Sequence, residues 1–276
     1  MIVAVAQKWV DHRPEVDPLT GAVRTDPRTS GASAADQSAL EWALRAAEAW
    51  GRQLLVASAG PPDADAMLRE ALAAGADRAV RVDLPAGASS EDVAAGLASV
   101  VAGAALVLCG DWSLDRGSGS VPAFLAGRLG AAQALGCTAL DLDRSRPGQV
   151  RAVRRLDGGR RECLVVPPPG VVSVEGGTAR LRRAPLDGVL RARRAVVEVV
   201  APARLGHEPP AEPVRRRPYR PRARALPPPP SELDARQRIL TLTGALAERH
   251  PPQLLVLDPA AAADRIVEQL RTWGYL

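Results

Sequence analysis

The residues best suited to chemistry lie between positions 105 and 130, in the stretch ALVLCGDWSLDRGSGSVPAFLAGRLG. The apolar run Ala105–Cys109 is too short for a helix and predicts a buried parallel strand. A loop of small residues follows, and apolar residues recur at helical spacing from Val121 onward. In an open α/β sheet, a strand, a glycine-rich loop and a helix N-terminus bind phosphates or nucleotides, because free backbone N–H groups converge there. An ordinary βα turn with a glycine–serine tip explains the same pattern, so this stretch alone leaves both interpretations open.

Catalytic groups are not evident in the sequence. It contains no G-x-S-x-G, no H-E-x-x-H and no P-loop motif. The three histidines, His12, His207 and His250, are far apart and lack metal-ligand spacing, so we expect no metal site. Four aspartates are expected beside the carboxyl ends of strands, where ligands bind, although each also suits a turn or a helix cap: Asp11, Asp36, Asp111 and Asp115. For Asp36 we favour the structural role, and for the chain a binding or carrier function rather than an enzyme.

Composition limits the class of protein further. The net charge of +5 comes almost wholly from arginine, since Lys8 is the only lysine. Together with abundant alanine and proline, this indicates GC-biased coding rather than selection for nucleic-acid contacts. Three cysteines without C-x-x-C spacing predict reduced core thiols in a cytoplasmic protein. We expect no signal peptide, because Met1 leads directly into the apolar run Ile2–Ala6 with no basic region before it. We expect no membrane insertion, because no apolar stretch approaches the ~20 residues that a spanning helix needs.

Strand and helix patterns alternate with short connections up to Gly130, which predicts a doubly wound, mostly parallel sheet. Ile2–Ala6 is the predicted first strand, residues 8–30 form a long excursion or hairpin, and Ser33 or Asp36 begins the first helix. After Gly130 the pattern changes to an antiparallel extension. Its clearest signal is a hairpin of residues 149–156 and 161–166, joined by Asp-Gly-Gly.

The last third of the chain has a different organisation. Residues 186–194 predict a short helix, and the Pro/Arg-rich residues 201–232 predict an extended linker or arm. Residues 233–276 predict a helical docking segment. Ser231, just before that segment, is expected to cap a helix that reaches His250, and a strand at 254–257 and a helix at 260–273 follow. We therefore expect three parts, an α/β domain over residues 1–200, the arm and the docking segment.

Six islands of this sequence, in the right order, resemble the β-subunit of electron transfer flavoprotein, the FixA type. AVAQKWVD resembles the N-terminal V-A-V-K-x-V-x-D, and SAADQSALEWALR resembles N-P-F-D-E-x-A-L-E-E-A-L-R. REALAAGADRAVRV follows R-x-A-L-A-M-G-A-D-R-A-x-x-V nearly residue for residue. The loop after residue 110 aligns with L-G-x-Q-A-I-D-x-D. LDGGRRECLVVPPPGVVSV resembles D-G-G…P-A-V-V-T-V. RLRRAPLDGVLRARR resembles E-P-R-Y-A-T-L-P-N-I-M-K-A-K-K. The islands come from the regions 4–11, 33–45, 69–82, 105–130, 156–174 and 180–194.

The resemblance implies an adenine-nucleotide α-hydrolase-like fold and a heterodimer with an α-subunit. FAD is then held mainly by the α-subunit and shared with this chain, and many members also hold a structural AMP in the β-subunit. The positions of this sequence that fall in such a nucleotide site are Val5, Ser33, Asp36, Ala59, Gly60, Gly110, Leu114, Asp115, Gly117, Ser118, Gly119, Ser120 and Val121.

The segment around Leu186 resembles the loop through which family members contact partner dehydrogenases. The resemblance implies that Leu186 and Arg191 dock the partner, with the leucine as a hydrophobic anchor. The alternative is that Leu186 starts the helix and packs inward. The two interpretations predict opposite exposures for this side chain.

The sequence also departs from the family pattern. N-P-F-D-E has become Ser33–Gln37, and I-D-x-D has become Leu114–Gly117, so nucleotide contacts through side chains are in question while backbone contacts persist. The long Pro/Arg arm resembles the divergent actinobacterial branch associated with mycofactocin gene clusters. Two other functions stay open, an adenine-nucleotide sensor of stress-protein-like fold and a nucleic-acid binder that uses the arginines of residues 215–224.

Overall fold

A mostly parallel sheet lies at the centre of the computed structural model, which describes residues 2–17, 19–202, 229–243 and 254–275. Within these residues it has nine strands: β1 (Ile2–Ala6), β6 (Leu54–Gly60), β7 (Arg78–Asp83), β8 (Ala104–Gly110), β9 (Ala132–Leu142), β10 (Val150–Arg155), β11 (Arg161–Val166), β12 (Gly170–Val174) and β13 (Glu198–Val200). Their spatial order is β11-β10-β9-β12-β8-β1-β6-β7-β13. The predicted α/β class with a mostly parallel sheet is confirmed.

The antiparallel extension occupies one side of this sheet. β10 pairs antiparallel with both β9 and β11, as the Asp-Gly-Gly turn at residues 157–159 predicts. β12 then returns to lie parallel between β8 and β9. The extension is therefore a hairpin and one long strand added to the edge of a continuous parallel sheet.

Helices cover both faces of the sheet. α1 (Ala34–Trp50) and α2 (Ala64–Ala74) pack on one face, and α3 (Ser90–Val101) and α4 (Val121–Leu129) pack on the other. The alternation of side chains along β1 shows the division, because Val3 and Val5 join the α1 core while Ala4 and Ala6 join the α3 core. Small aliphatic residues dominate both layers, as the composition predicts.

The predicted excursion after β1 is a pair of short ribbons. β2 (Trp9–Asp11) pairs antiparallel with β5 (Ser30–Ala32), and β3 (Glu15–Val16) pairs with β4 (Val23–Arg24) between them. A single turn of 3-10 helix, Pro27–Thr29, precedes β5. This excursion leads directly into α1 and so stands beside the carboxyl end of β1.

Contacts divide the chain into two units, residues 1–218 and 219–276. α5 (Leu186–Arg194) belongs to the first unit and agrees with the predicted bounds. The second unit contains α6 (Ala235–Leu242) and α7 (Pro259–Thr272) among its described residues. The division into a domain, an arm and a docking segment stays a prediction, and most of the arm lies outside the described residues.

Three local predictions are wrong. The cap of α6 is Asp234 rather than Ser231, because its carboxylate accepts the N–H of Gln237 in a capping box. Residues 254–257 form no strand, and the predicted continuation of α6 to His250 lies outside the described residues. Cys109 and Cys137 are buried as expected, but Cys163 is exposed on β11, the last strand of the described sheet.

Candidate functional site

The strand order of the sheet reverses between β1 and β8. From β1 the chain adds β6 and β7 on one side, and it then crosses over to place β8 and β12 on the other side. The loops that leave the carboxyl ends of β1 and β8 diverge, since α1 and α4 lie on opposite faces. Such a reversal point is where open α/β sheets bind ligands.

A cavity of about 200 Å³ lies at this point. Its walls come from residues just after β1, from the end of β6, from the loop between β8 and α4, and from the segment around residues 85–97. The volume is below the ~300–1,000 Å³ of typical drug-sized ligand sites. It therefore suits part of a mononucleotide better than a dinucleotide.

Most of the residues expected at the nucleotide site line this cavity. They are Asp36, Ala59, Gly60, Gly110, Asp115, Ser118, Gly119, Ser120 and Val121. The tertiary structure thus brings together residues from three separate stretches of the sequence, around positions 36, 59–60 and 110–121. Their contact with a nucleotide stays a prediction.

The other four expected residues lie near the cavity without lining it. Val5 is fully buried in the core of the sheet, and Ser33 caps α1 by accepting the N–H of Asp36 at 3.1 Å. Leu114 is partly exposed on the loop, and Gly117 packs against the indole of Trp112. The structural surroundings of Val5, Ser33 and Gly117 account for their positions without a ligand.

Asp36 joins the two sides of the crevice. Its Oδ2 accepts the backbone N–H of Lys8 at 3.3 Å and the hydroxyl of Ser33 at 3.0 Å, while its Oδ1 accepts the N–H of Gly110 at 3.3 Å. Burial raises the pKa of this carboxyl to about 6, against the smaller lowering effect of the hydrogen bonds. The structural role favoured from the sequence agrees with these bonds.

Two positions of the crevice, 110 and 119, require glycine because neighbouring protein atoms leave no room for a Cβ. A Cβ on Gly110 would lie 2.7 Å from Oδ1 of Asp36, so this position brings β8 close to α1. Gly119 has a φ of +59°, and a Cβ there would lie 2.6 Å from the carbonyl oxygen of Asp111. Packing within the fold is thus sufficient to explain both residues, independent of any ligand.

Lys8 spans the mouth of the crevice from the end of β1. Its Nζ lies 2.6 Å from both carboxylate oxygens of Asp115 and 3.3 Å from Oγ of Ser113. Burial raises the pKa of Asp115 and the hydrogen bond from Lys8 lowers it, and the net shift is downward. The ion pair therefore ties the loop after β8 to the strand in the middle of the sheet.

The first turn of α4 faces the same cavity. Its N-cap residue, Ser120, makes no side-chain capping bond, and its Oγ lies 3.0 Å from Oγ of Ser118 instead. Pro122 occupies the first turn, where its missing N–H costs nothing. Backbone N–H groups of this turn and the positive end of the helix dipole are thus available to an anion.

Sequence reasoning missed three lining residues with distinctive side chains. Lys8 carries the only lysine amine of the chain and lies two residues after β1, which is a signal that could have identified it. Trp112 lines the cavity from the loop, half exposed. Arg116 donates to the carbonyl oxygens of Gly87 and Ala88 at 2.7 and 2.8 Å, a cross-loop contact that no local pattern reveals.

The expected docking residues lie on α5, which packs against α2. Leu186 is 76% exposed at the start of the helix, so the interpretation that it packs inward is wrong. Arg191 is exposed and forms an ion pair with Asp187 one turn earlier, at 2.6 Å. A Cβ on Gly188 would lie 2.6 Å from the carbonyl oxygen of Ala73, so the small residue permits the close packing of α5 on α2.

An ion-pair network around the buried Glu41 fixes the chain that leads into α5. Arg182 donates its N–H and Nε to Oε2 of Glu41 at 3.1 and 3.0 Å, and its guanidinium also bonds to Glu48. Burial raises the pKa of Glu41, the bonds from Arg182 and Arg45 lower it, and the net shift is downward. α1 thereby holds the segment that precedes Leu186.

The described residues contain no group of three or more His, Cys, Asp or Glu side chains that could hold a metal ion. In the same part of the chain, no helix has both the length and the apolar character needed to cross a bilayer. Neither finding contributes a further feature to the crevice.

Comparison with known proteins assigns the chain to a family. The electron transfer flavoprotein domain family matches residues 24–205, from the excursion after β1 to the end of β13. The chain therefore belongs to the electron transfer flavoprotein family. The match includes α1, β8, α4 and α5, the elements that carry the crevice and the exposed leucine.

Individual relatives point to the β-subunit side of that family. The electron transfer flavoprotein subunit beta of Methylophilus methylotrophus is 33% identical over 160 residues, 56% of this chain and 60% of that protein. Protein FixA of Bradyrhizobium diazoefficiens is 28% identical over 205 residues, 71% of each chain. The subunit beta of Bos taurus is 28% identical over 161 residues, 56% of this chain and 62% of the bovine one. The similarity thus covers less than two thirds of the Methylophilus and bovine proteins.

Proposed function

We propose that this chain is the β-subunit of a heterodimeric electron transfer flavoprotein. The observation that carries the proposal is the family match over residues 24–205, which agrees with the β-subunit and FixA names of the relatives. In this role the chain is an electron-carrier subunit without catalytic residues of its own. It acts with an α-subunit and with a partner dehydrogenase, and we place it in the cytoplasm.

FAD supplies the redox chemistry of such a complex when bound, and we propose that the α-subunit holds most of it. The crevice of this chain is too small to bury a dinucleotide, which supports that division. We propose that the crevice holds AMP instead. The open first turn of α4 suits a phosphate, and the small residues Ala59 and Gly60 leave room beside β6.

The partner dehydrogenase is proposed to contact the start of α5. Leu186 offers an apolar side chain that the fold leaves exposed, and the last turn of the same helix carries three arginines. An exposed apolar anchor within a charged rim is a common arrangement at interfaces. The position of the chain in the mycofactocin-associated branch stays a prediction.

Copurification with a candidate α-subunit tests the proposed function. The two full chains are coexpressed with a tag on one, and the complex is analysed for stoichiometry, colour and released nucleotides. We expect a yellow one-to-one complex that releases FAD and AMP and accepts electrons from a dehydrogenase. A colourless chain that binds ATP by itself would support the sensor function, and salt-sensitive DNA binding would support the nucleic-acid binder.

A further inference from the structure

The ion pair at the mouth of the crevice contains a cation that is held by two side chains, Asp115 and Ser113. Lys8 Nζ contacts the carboxylate of Asp115 and the hydroxyl of Ser113, all through side chains on a loop. The Lys8 and Asp115 side chains are 39% and 37% exposed, so water reaches both. Exposed ion pairs contribute little to stability, so another anion can replace Asp115 beside Lys8 at low energetic cost.

Three of the other charged residues that line the crevice, Asp36, Asp11 and Arg116, bond to backbone groups of other residues. Asp36 accepts two backbone N–H groups, and Asp11 accepts those of Arg13 and Asp26 within the excursion. Arg116 is held by two carbonyl oxygens. Asp111 is the remaining lining carboxylate, and burial raises its pKa, with the nearby Glu175 adding to the rise. The walls carry four carboxylates and two cations, so a phosphate in the crevice needs a cation that can turn towards it. Of the two cations, Arg116 is held by backbone carbonyl oxygens, whereas Lys8 is held by side chains alone.

We propose that Lys8 forms the phosphate subsite of the crevice by exchanging Asp115 for the phosphate of the bound nucleotide. The proposal rests on the nucleotide site of the proposed function. In the structure Asp115 neutralises Lys8, and in the complex the phosphate takes its place while Asp115 turns to solvent. The first turn of α4, which lines the same cavity, supplies backbone N–H groups to the same phosphate. Asp115 thus competes with the ligand rather than binding it.

Exchange predicts opposite effects for the two members of the pair. The full chain, stripped of nucleotide, is titrated calorimetrically with AMP, adenosine and inorganic phosphate. Lys8→Met should weaken AMP binding about tenfold, since a hydrogen bond to a charged group contributes ~1.5–3 kcal/mol, and should leave adenosine unchanged. Asp115→Asn should strengthen AMP binding severalfold because it removes the competing carboxylate.

The Arg78–Glu198 pair provides matched controls. Its members lie 2.9 Å apart on β7 and β13, both are more exposed than the Lys8 pair, and neither lines the cavity. Arg78→Met and Glu198→Gln make the same changes in net charge as the two test variants. Neither control should alter AMP binding, which separates a local contact from a general charge effect.

Because Lys8 is the only lysine, its amine also gives a direct signal. Reductive ¹³C-methylation places one reporter on Lys8 and one on the N-terminal amine. AMP and inorganic phosphate should shift the Lys8 resonance, and adenosine should not. A Lys8 resonance that stays constant at saturating AMP overturns the proposal.

The remaining outcomes distinguish this proposal from the proposed function. If both variants weaken the binding of AMP and of adenosine equally, the ion pair only stabilises the loop. The proposed exchange is then wrong, while the nucleotide site stands. Equal affinity of the wild-type chain for AMP and adenosine also overturns the exchange. A wild-type chain that binds neither compound overturns both the phosphate subsite and the nucleotide site.

Discussion

Oδ1 of Asp36 accepts the backbone N–H of Gly110 at 3.3 Å, which ties the first turn of α1 to the carboxyl end of β8. The two residues are 74 positions apart in the sequence. They approach so closely that a Cβ on Gly110 would lie 2.7 Å from this oxygen. Their contact sets the spacing of the elements that form the crevice. The stability of this contact is therefore testable separately from ligand binding.

The buried Asp36 carboxyl should make stability fall as pH rises. Its pKa is about 6 in the folded chain against an ordinary 3.8, so between these values the folded state holds a proton that the unfolded state releases. Asp36→Asn removes this titration. We expect the stability of the variant relative to wild type to increase by up to about 3 kcal/mol between about pH 4 and 7, and then to level off.

Urea unfolding at a series of pH values measures this difference. Contributions of other titrating groups, such as Glu70, whose pKa burial also raises, cancel between the two proteins. A constant difference across the whole range would show that the Asp36 carboxyl titrates normally.

Alanine at position 110 should destabilise the fold. Its Cβ would lie 2.7 Å from Oδ1 of Asp36 and 3.0 Å from Cβ of Ala35, so we expect a loss of about 1–3 kcal/mol in the free energy of unfolding. Gly127→Ala is the matched control, because the site is helical and no atom lies within 4 Å. It should stabilise the chain by about 0.5–1 kcal/mol, and effects of the same sign would contradict the packing argument.

Removal of the Arg182 side chain should leave Glu41 buried with fewer partners. Arg182→Met should lower the free energy of unfolding by on the order of 2 kcal/mol at neutral pH. Because the pKa of Glu41 is lowered in the fold, this contribution is present above its unfolded value and is lost as pH falls through the folded one. Arg191→Met, which breaks an exposed pair, should change stability by less than about 0.5 kcal/mol. Equal losses for both variants would contradict the role of burial.

Leu186→Ala should affect partner docking without affecting the fold. The side chain is largely exposed, so stability should change by less than about 0.5 kcal/mol. Loss of an apolar anchor of ~1.5–3 kcal/mol should slow reduction of the flavoprotein by its dehydrogenase about tenfold or more. Leu19→Ala, at an exposed leucine on the excursion, should leave the rate unchanged. A wild-type rate in Leu186→Ala would exclude this residue as the anchor.

The apolar side chains of α7 should contribute to association with the α-subunit. Ile266 is exposed on this helix, Trp273 is exposed at its C-cap, and no residue of α7 is buried. Alanine at either position should weaken the heterodimer about tenfold or more by titration of the full chains, with unchanged helical content. Asp264→Ala on the same helix serves as the control. Unchanged affinity in both test variants would assign another role to the second unit.

Prediction from the sequence succeeded where the determining interactions are local. The bounds of α5 and the turn at residues 157–159 follow from periodicity and glycine placement, and both are found as expected. It failed where two local signals compete, as with Ser231 and Asp234 at the start of α6. The predicted burial of Cys163 was wrong. Its strand, β11, is the last of the described sheet, and an apolar run there lacks the covering helix that a central strand has.

For the crevice, the sequence determined the strand, the small-residue loop and the helix that follows, because each depends on the properties of neighbouring residues. The resemblance added the family and nine of the positions that line the cavity. The tertiary structure decided that Lys8 meets Asp115, that Gly188 packs on Ala73 and that Leu186 stays exposed. These relationships join residues from different strands and helices, and their distances exist only once strand order and helix packing bring the elements together.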